Sequence, residues 1–184
     1  MIMKKRLIEL LKERAYKKTD TPSFKLTSGK MSSHYVNCKM VTYNPEGQYL
    51  IGNIILNHIK EKGLKVKGAG GLTLGADPIA TAISFASHGS ENPIEAFVIR
   101  KEKKGYGAGN QIEGDIHEGD SVIILDDVLT TGKSTIKAID VAEENKLNIQ
   151  HVFVLVDREE ENGYENVRAR GYDVTPIVRI SELQ

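Results

Sequence analysis

The chain has 184 residues, the length of one domain, since single hydrophobic cores close at roughly 100–200 residues. Hydrophobic residues make up 40% and charged residues 27%, which excludes a collagen-like or disordered chain and suits a soluble globular one. The 25 Lys and Arg balance 25 Asp and Glu, so the basic excess expected of a nucleic-acid partner is missing. No run approaches the roughly 18 apolar residues of a membrane span. One cysteine, Cys38, makes neither an internal disulfide nor a zinc site of the usual ligand count, and fits a reducing cytoplasm.

Met3, Leu7, Leu10 and Leu11 recur at helical spacing among charges, which predicts an amphipathic helix over residues 2–16. Lys4, Lys5 and Arg6 resemble the start of a signal peptide, but the segment after them is too charged for an apolar core. Two short extended runs around Gly29, within residues 24–38, predict paired strands in a small unit before the main sheet. Asn44-Pro45 then supplies an N-cap and a Pro at the first helical position, and the stripe Leu50, Ile51, Ile54, Ile55, Ile59 runs to Gly63. From there the pattern alternates: a strand at 65–70, a helix at 77–88 and a strand at 94–100. After a Gly- and Lys-rich segment at 101–113 come a strand at 121–125, a helix at 133–145 and a strand at 151–156. A short helix at 163–170 and a strand at 174–180 close the series. Val122-Ile-Ile-Leu125 and Val152-Phe-Val-Leu-Val156 are apolar on both faces, as strands of a parallel sheet covered by helices must be. The expected fold is α/β, a mostly parallel central sheet flanked by helices.

The chemistry concentrates where the strand at 121–125 meets two acids and a turn of small and hydroxyl residues that opens a helix. Ligands of open α/β sheets bind at such carboxyl ends. Free N–H groups at the helix start, with Thr130, Thr131, Gly132, Ser134 and Thr135 around them, suit a phosphate dianion. Asp126 and Asp127 would repel that phosphate and need another partner: sugar hydroxyls, a cation or a developing positive charge. A ribose phosphate has both parts. One acid and one threonine would be explained by an N-cap and a solvated strand end; the complete run is not. Gly132-Lys133-Ser134 ends like a Walker A loop, but that motif needs a glycine where Asp127 stands. In residues 101–113, Lys101, Lys103 and Lys104 lie beside Gly105, Gly107 and Gly109, a composition that suits a mobile lid over an anion. His34, His58, His88, His117 and His151 have no metal-ligand spacing.

The run Asp126-Asp127-Val128-Leu129-Thr130-Thr131-Gly132 with a following hydroxyl residue resembles the phosphoribosyl diphosphate (PRPP) motif of type I phosphoribosyltransferases. Phe24-Lys-Leu-Thr-Ser-Gly29, Gly71-Leu-Thr-Leu-Gly-Ala-Asp-Pro78, Arg100-Lys-Glu-Lys-Lys-Gly-Tyr-Gly107 and Val156-Asp-Arg158 look like successive blocks of the orotate phosphoribosyltransferase family, in order over residues 24–158. The resemblance implies a type I phosphoribosyltransferase fold over residues 1–184, with N-terminal hood elements at 1–43 and a flexible lid at 101–113. It implies transfer of phosphoribosyl from PRPP to orotate, with Mg²⁺ carried by PRPP rather than by protein ligands. It also implies a homodimer whose lid serves the neighbouring subunit's site. Residues 126–134 would hold the ribose phosphate, with Asp126 and Asp127 on ribose hydroxyls. Lys101 and Lys104 would meet pyrophosphate, Arg100 and Arg158 the base, and Tyr35 would stack on the pyrimidine.

Two positions depart from the family pattern. Thr27 stands where many members carry Lys, and Tyr106 where many carry His. A phenol of reference pKa about 10 at 106 puts proton transfer there in doubt but leaves hydrogen bonding open. A purine phosphoribosyltransferase would not need Arg158 for a carboxylate. A PRPP-sensing regulator of the same fold would bind without catalysis, which the neutral net charge and the segment Arg100 to Gly107 disfavour.

Overall fold

The structure, a computed structural model, describes residues 2–25, 29–102 and 111–184. Helix α1 (Ile2–Arg14) buries Leu7, Leu10 and Leu11. It stops short of residue 16 because β1 (Tyr16–Lys18) is extended and pairs antiparallel with β4 (His34–Val36). Between them β2 (Phe24–Lys25) pairs with β3 (Met31–Ser32). The expected small unit is thus two separate two-stranded ribbons, and its second run pairs backwards to residues that read as a helix end.

A four-residue helix α2 (Lys39–Thr42) leads to α3 (Pro45–Glu61), where the Asn44 side chain accepts the Gly47 amide at 3.0 Å. The remaining elements are β5 (Gly68–Leu72), α4 (Asp77–Ser87), β6 (Glu95–Ile99) and β7 (Ile112–Glu113). Then come β8 (Ser121–Leu129), α5 (Lys133–Glu144), β9 (Asn148–Asp157), α6 (Gly163–Arg168) and β10 (Val174–Arg179). Among the described residues β5 to β10 form one sheet of order β10-β9-β8-β5-β6-β7, parallel except for β7. Strand β8 runs four residues past the expected end at Leu125, so the two acids lie within the strand.

The alternation in β8 and β9 explains their two-sided apolarity. Ile123, Leu125, Phe153 and Leu155 face a core shared with α1, α3 and α4. Val122, Ile124, Val152 and Val154 face a second core with Ala138, Ile139 and Ala142 of α5 and Val167 of α6. Each fully buried Val, Leu, Ile or Phe contributes roughly 1.5–3 kcal/mol, so both layers bind the sheet firmly beneath the site. Helix α1, expected among the hood elements, packs into the first of these cores. No helix among the described residues is long and apolar enough to cross a membrane.

His151 in β9 is buried, with its Nε2 2.8 Å from Thr175 Oγ1 and its ring 4.6 Å from that of Phe153. Burial, aided by Lys62, pushes its pKa down to about 4. The unfolded chain takes up a proton near pH 6.5 that the folded chain refuses until about 4, so this group's stabilisation is complete above 6.5 and lost as pH falls. The loss should reach about 3 kcal/mol near pH 4. His151→Gln should flatten the fall of Tm between pH 6.5 and 4; an unaltered acid slope in thermal melts would show that His151 titrates normally.

Candidate active site

The crossover after β5 leads to β6 on one side, while β8 lies on β5's other side, so the sheet's topological switch falls between β5 and β8. At their carboxyl ends opens a cleft of 320 Å³, floored by Asp126, Asp127 and Val128 and walled by Thr130, Thr131, Gly132, Lys133 and Ser134. Lys25, Tyr35 and Val36 from the N-terminal ribbons and Asn37 to Lys39 at the start of α2 face them, and Arg158 enters from the end of β9. Larger grooves lie at the amino ends of β5 and β6 (710 Å³) and between α1 and α3 (840 Å³). Neither holds neighbouring aspartates beside a glycine- and hydroxyl-rich turn, and chemistry rather than volume selects the smaller cleft.

The two acids have different surroundings. Asp126 is 6% exposed, and both its oxygens accept protein hydrogen bonds: Oδ2 from Thr135 Oγ1 at 2.6 Å and Oδ1 from the Asp127 amide at 2.9 Å. Burial first, and the charge of Asp127 second, hold its carboxyl well above the usual carboxylate range. The Asp127 side chain, 15% exposed, turns to the cleft with Oδ2 3.6 Å from Lys39 Nζ. The loop after β5 crosses directly over it: a Cβ added to Gly75 would lie 2.4 Å from Asp127 Oδ1. Lys39 is half-exposed, so its ion pair with Asp127 adds little stability and leaves the lysine available to a ligand.

Gly132 is the N-cap of α5 with φ +80° and no side-chain cap on the helix. The first-turn N–H groups have no intrahelical acceptors, and among the described residues the Lys133 amide meets only Thr131 Oγ1, at 3.4 Å. This is a ready anion site. Leu129 was expected to bind substrate with its neighbours, but its side chain is fully buried in the α5 core and its carbonyl accepts the Arg158 amide at 3.0 Å. It supports the turn and does not line the cleft.

Tyr35 is 40% exposed and its ring stacks on Phe24 at 5.3 Å, leaving it on the cleft wall rather than in the core. Arg158 is buried at 4% exposure. Arg100 is exposed at the end of β6 beside Glu113, with Nη1 3.4 Å from Oε1, and the Lys101 carbonyl accepts Lys137 Nζ at 2.6 Å. Neither residue lines the cleft. Lys104, Tyr106 and Thr27 lie outside the described residues. Sequence reasoning did not single out Lys39, which nothing in its local sequence marks, or Lys25, although Lys25 lies within the block Phe24 to Gly29; packing of the N-terminal segment brings both to the cleft.

A parallel sheet with paired acids in the strand at its switch point, running into a hydroxyl- and glycine-rich helix start, defines a type I phosphoribosyltransferase fold. No protein-family model matches the chain. It is 46% identical to the orotate phosphoribosyltransferase of Aquifex aeolicus, over all of this chain and 98% of that one. It is 41% identical to that of Methanocaldococcus jannaschii, again over all of this chain and 98% of the other. Among solved structures, Mycobacterium tuberculosis orotate phosphoribosyltransferase in complex with PRPP superposes with a TM-score of 0.79 at 26% identity, covering 100% of this chain and 93% of that one. The chain belongs to the orotate phosphoribosyltransferase family.

Proposed function

We propose that the protein transfers the 5-phosphoribosyl group of PRPP to orotate, giving orotidine 5′-monophosphate and pyrophosphate in pyrimidine synthesis. One observation carries this reading above the family membership: a phosphate-binding helix start, a cleft-facing carboxylate and a buried guanidinium line one cleft of 320 Å³. The 5-phosphate takes the first-turn amides of α5 and the hydroxyls of Thr130, Thr131 and Ser134, with Lys133 adding charge. Asp127 accepts hydrogen bonds from the ribose hydroxyls. Asp126 acts from below, holding the turn through Thr135. Tyr35 offers a ring face to the pyrimidine and Arg158 a donor to its polar edge.

As the bond from ribose C1 to the diphosphate oxygen loosens, positive charge builds on the sugar and negative charge on the leaving group. The protein's contribution is to hold the base nitrogen in line with C1, neutralise the leaving oxygens and exclude water. The family resemblance gives Lys101 and Lys104 the neutralising role, with Arg100 and Tyr106 as further hydrogen-bonding groups. Mg²⁺ fits this donor set as a partner of PRPP: with Asp126 committed to Thr135 and the Asp127 amide, Asp127 is the acid facing the cleft, too little for an octahedral protein cage. Bound through diphosphate and water, Mg²⁺ would offset the leaving group's charge.

A homodimer in which residues 101–113 of one subunit serve the partner's cleft belongs to the same reading. Met40, Tyr43, Tyr49 and Phe85, the last 84% exposed, put apolar area on α2, α3 and α4 that a second subunit would cover. Sedimentation equilibrium at the monomer mass would reject the dimer. A cytoplasmic setting suits the buried lone thiol of Cys38.

The deciding assay supplies PRPP, Mg²⁺ and orotate and follows loss of orotate absorbance. Consumption of orotate should require PRPP and be unaffected by adenine, hypoxanthine or uracil. A preparation that consumes adenine or hypoxanthine and leaves orotate intact would overturn the assignment in favour of purine chemistry.

A further inference from the structure

Arg158 is held on one edge by a closed network. Its Nε donates to Glu160 Oε2 at 3.1 Å, and its Nη2 reaches the same oxygen at 3.0 Å, Ser32 Oγ at 3.2 Å and the His34 carbonyl at 2.9 Å. Ser32 Oγ closes the ring by donating to Glu160 Oε1 at 3.0 Å and is itself fixed by the His34 amide at 3.1 Å. Ser32 and His34 belong to the N-terminal ribbons, so one guanidinium ties the ribbons to the end of β9. Nη1 donates to no described residue, and Arg158 lines the cleft.

The backbone around Glu160 is built to keep it there. Glu159, Glu161 and Asn162 have φ of +54°, +58° and +54°, a region that L-residues occupy only where their surroundings hold them. Those surroundings are visible: Glu159 Oε2 accepts the Ser181 amide at 3.1 Å and Glu161 pairs with Lys30 at 2.8 Å. A free guanidinium could offer a carboxylate a two-nitrogen fork from its Nε and Nη2 edge. Here Glu160 occupies that edge.

We propose that Glu160 is a positioning residue for recognition of the base: with Ser32 it fixes the Arg158 guanidinium so that Nη1 alone is presented to the pyrimidine's polar edge. This rests on the reading of the cleft as the orotate site. Arg158 then selects by placement of one donor, and a base lacking an acceptor at that point is disfavoured. Without Glu160 the guanidinium keeps only its Nη2 contacts to Ser32 and the His34 carbonyl and is free to turn about them, and the ordering cost falls on base binding.

The test separates base from PRPP. Glu160→Ala should raise the KM for orotate about tenfold, with the KM for PRPP within about twofold of wild type, because the phosphate turn is untouched. Glu160→Gln keeps one carbonyl oxygen as acceptor and should recover part of the loss, leaving an orotate KM about threefold raised. Should the alanine variant not fold, the glutamine variant decides by the same split. An unmoved orotate KM in the folded alanine variant, or in the glutamine variant where it must decide, overturns the proposal; so do equal rises for both substrates. Wild-type protein inactive on orotate would instead overturn the functional reading itself, so the two failures are distinguishable.

Discussion

Asp127→Asn should lower kcat/KM by about 10²–10³ in a protein that melts like wild type, whereas Asp126→Asn should cost no more than about tenfold. The difference follows from where each carboxylate spends its oxygens. Asp127 faces the cleft, paired among the described residues with a half-exposed lysine at 3.6 Å, so its charge is available to act on the sugar as positive character develops. Asp126 lies beneath it, saturated by Thr135 and the Asp127 amide, and an amide of the same shape can serve both contacts after reversing the one to the threonine hydroxyl. Burial raises the Asp126 carboxyl, so the folded state binds its proton more tightly than the unfolded state does. That stabilisation is present at low pH and lost as pH rises through the folded value. Asp126→Asn should therefore gain Tm relative to wild type between pH 5 and 8. Equal catalytic losses for the two variants, with no such gain, would put both acids on the sugar.

Gly132→Ala should weaken PRPP binding by about tenfold or more and lower Tm by a few degrees. At φ +80° an L-residue is strained by roughly 1–2 kcal/mol. The new Cβ would also sit 3.0 Å from Val167 Cγ2 and 3.1 Å from the Gly163 carbonyl, on the side of α6 rather than of the ligand. Relief comes by rotating the peptide that starts α5, and this swings the first-turn amides away from the phosphate. Calorimetry with PRPP and Mg²⁺ reads the effect directly. Unchanged affinity would mean that the amides of this turn do not carry the phosphate.

These expectations refine what was legible in the sequence. The alternation of helices and two-sided apolar strands was readable because each element's periodicity is local, and α3 could be bounded from Asn44, Pro45 and Gly63 alone. The reach of β8 could not. Acids at 126 and 127 read as a strand end because ionised carboxylates are costly inside a sheet, yet Asp126 is accommodated by two hydrogen bonds and a raised pKa, one bond coming from a threonine nine residues on. The pairing of Tyr16–Lys18 with His34–Val36 was hidden for a similar reason: three residues carry too little pattern, and only the partner strand makes them extended.

The residues of the phosphate turn and its place after a buried strand were set by the sequence itself, since a glycine at positive φ, hydroxyls and a helix start are local chemistry. So was the ordered set of motifs that marks the family. Tertiary structure alone decided how the work is divided. It set Asp126 under Thr135 and Asp127 toward the cleft, moved Leu129 into the core, brought Lys39 at the start of α2 to Asp127, and closed Ser32 and Glu160 around Arg158. Apart from the contact of Arg158 with Glu160, two positions on, these depend on contacts between residues from 9 to 128 positions apart, and no local pattern encodes which oxygen or nitrogen a distant neighbour leaves free.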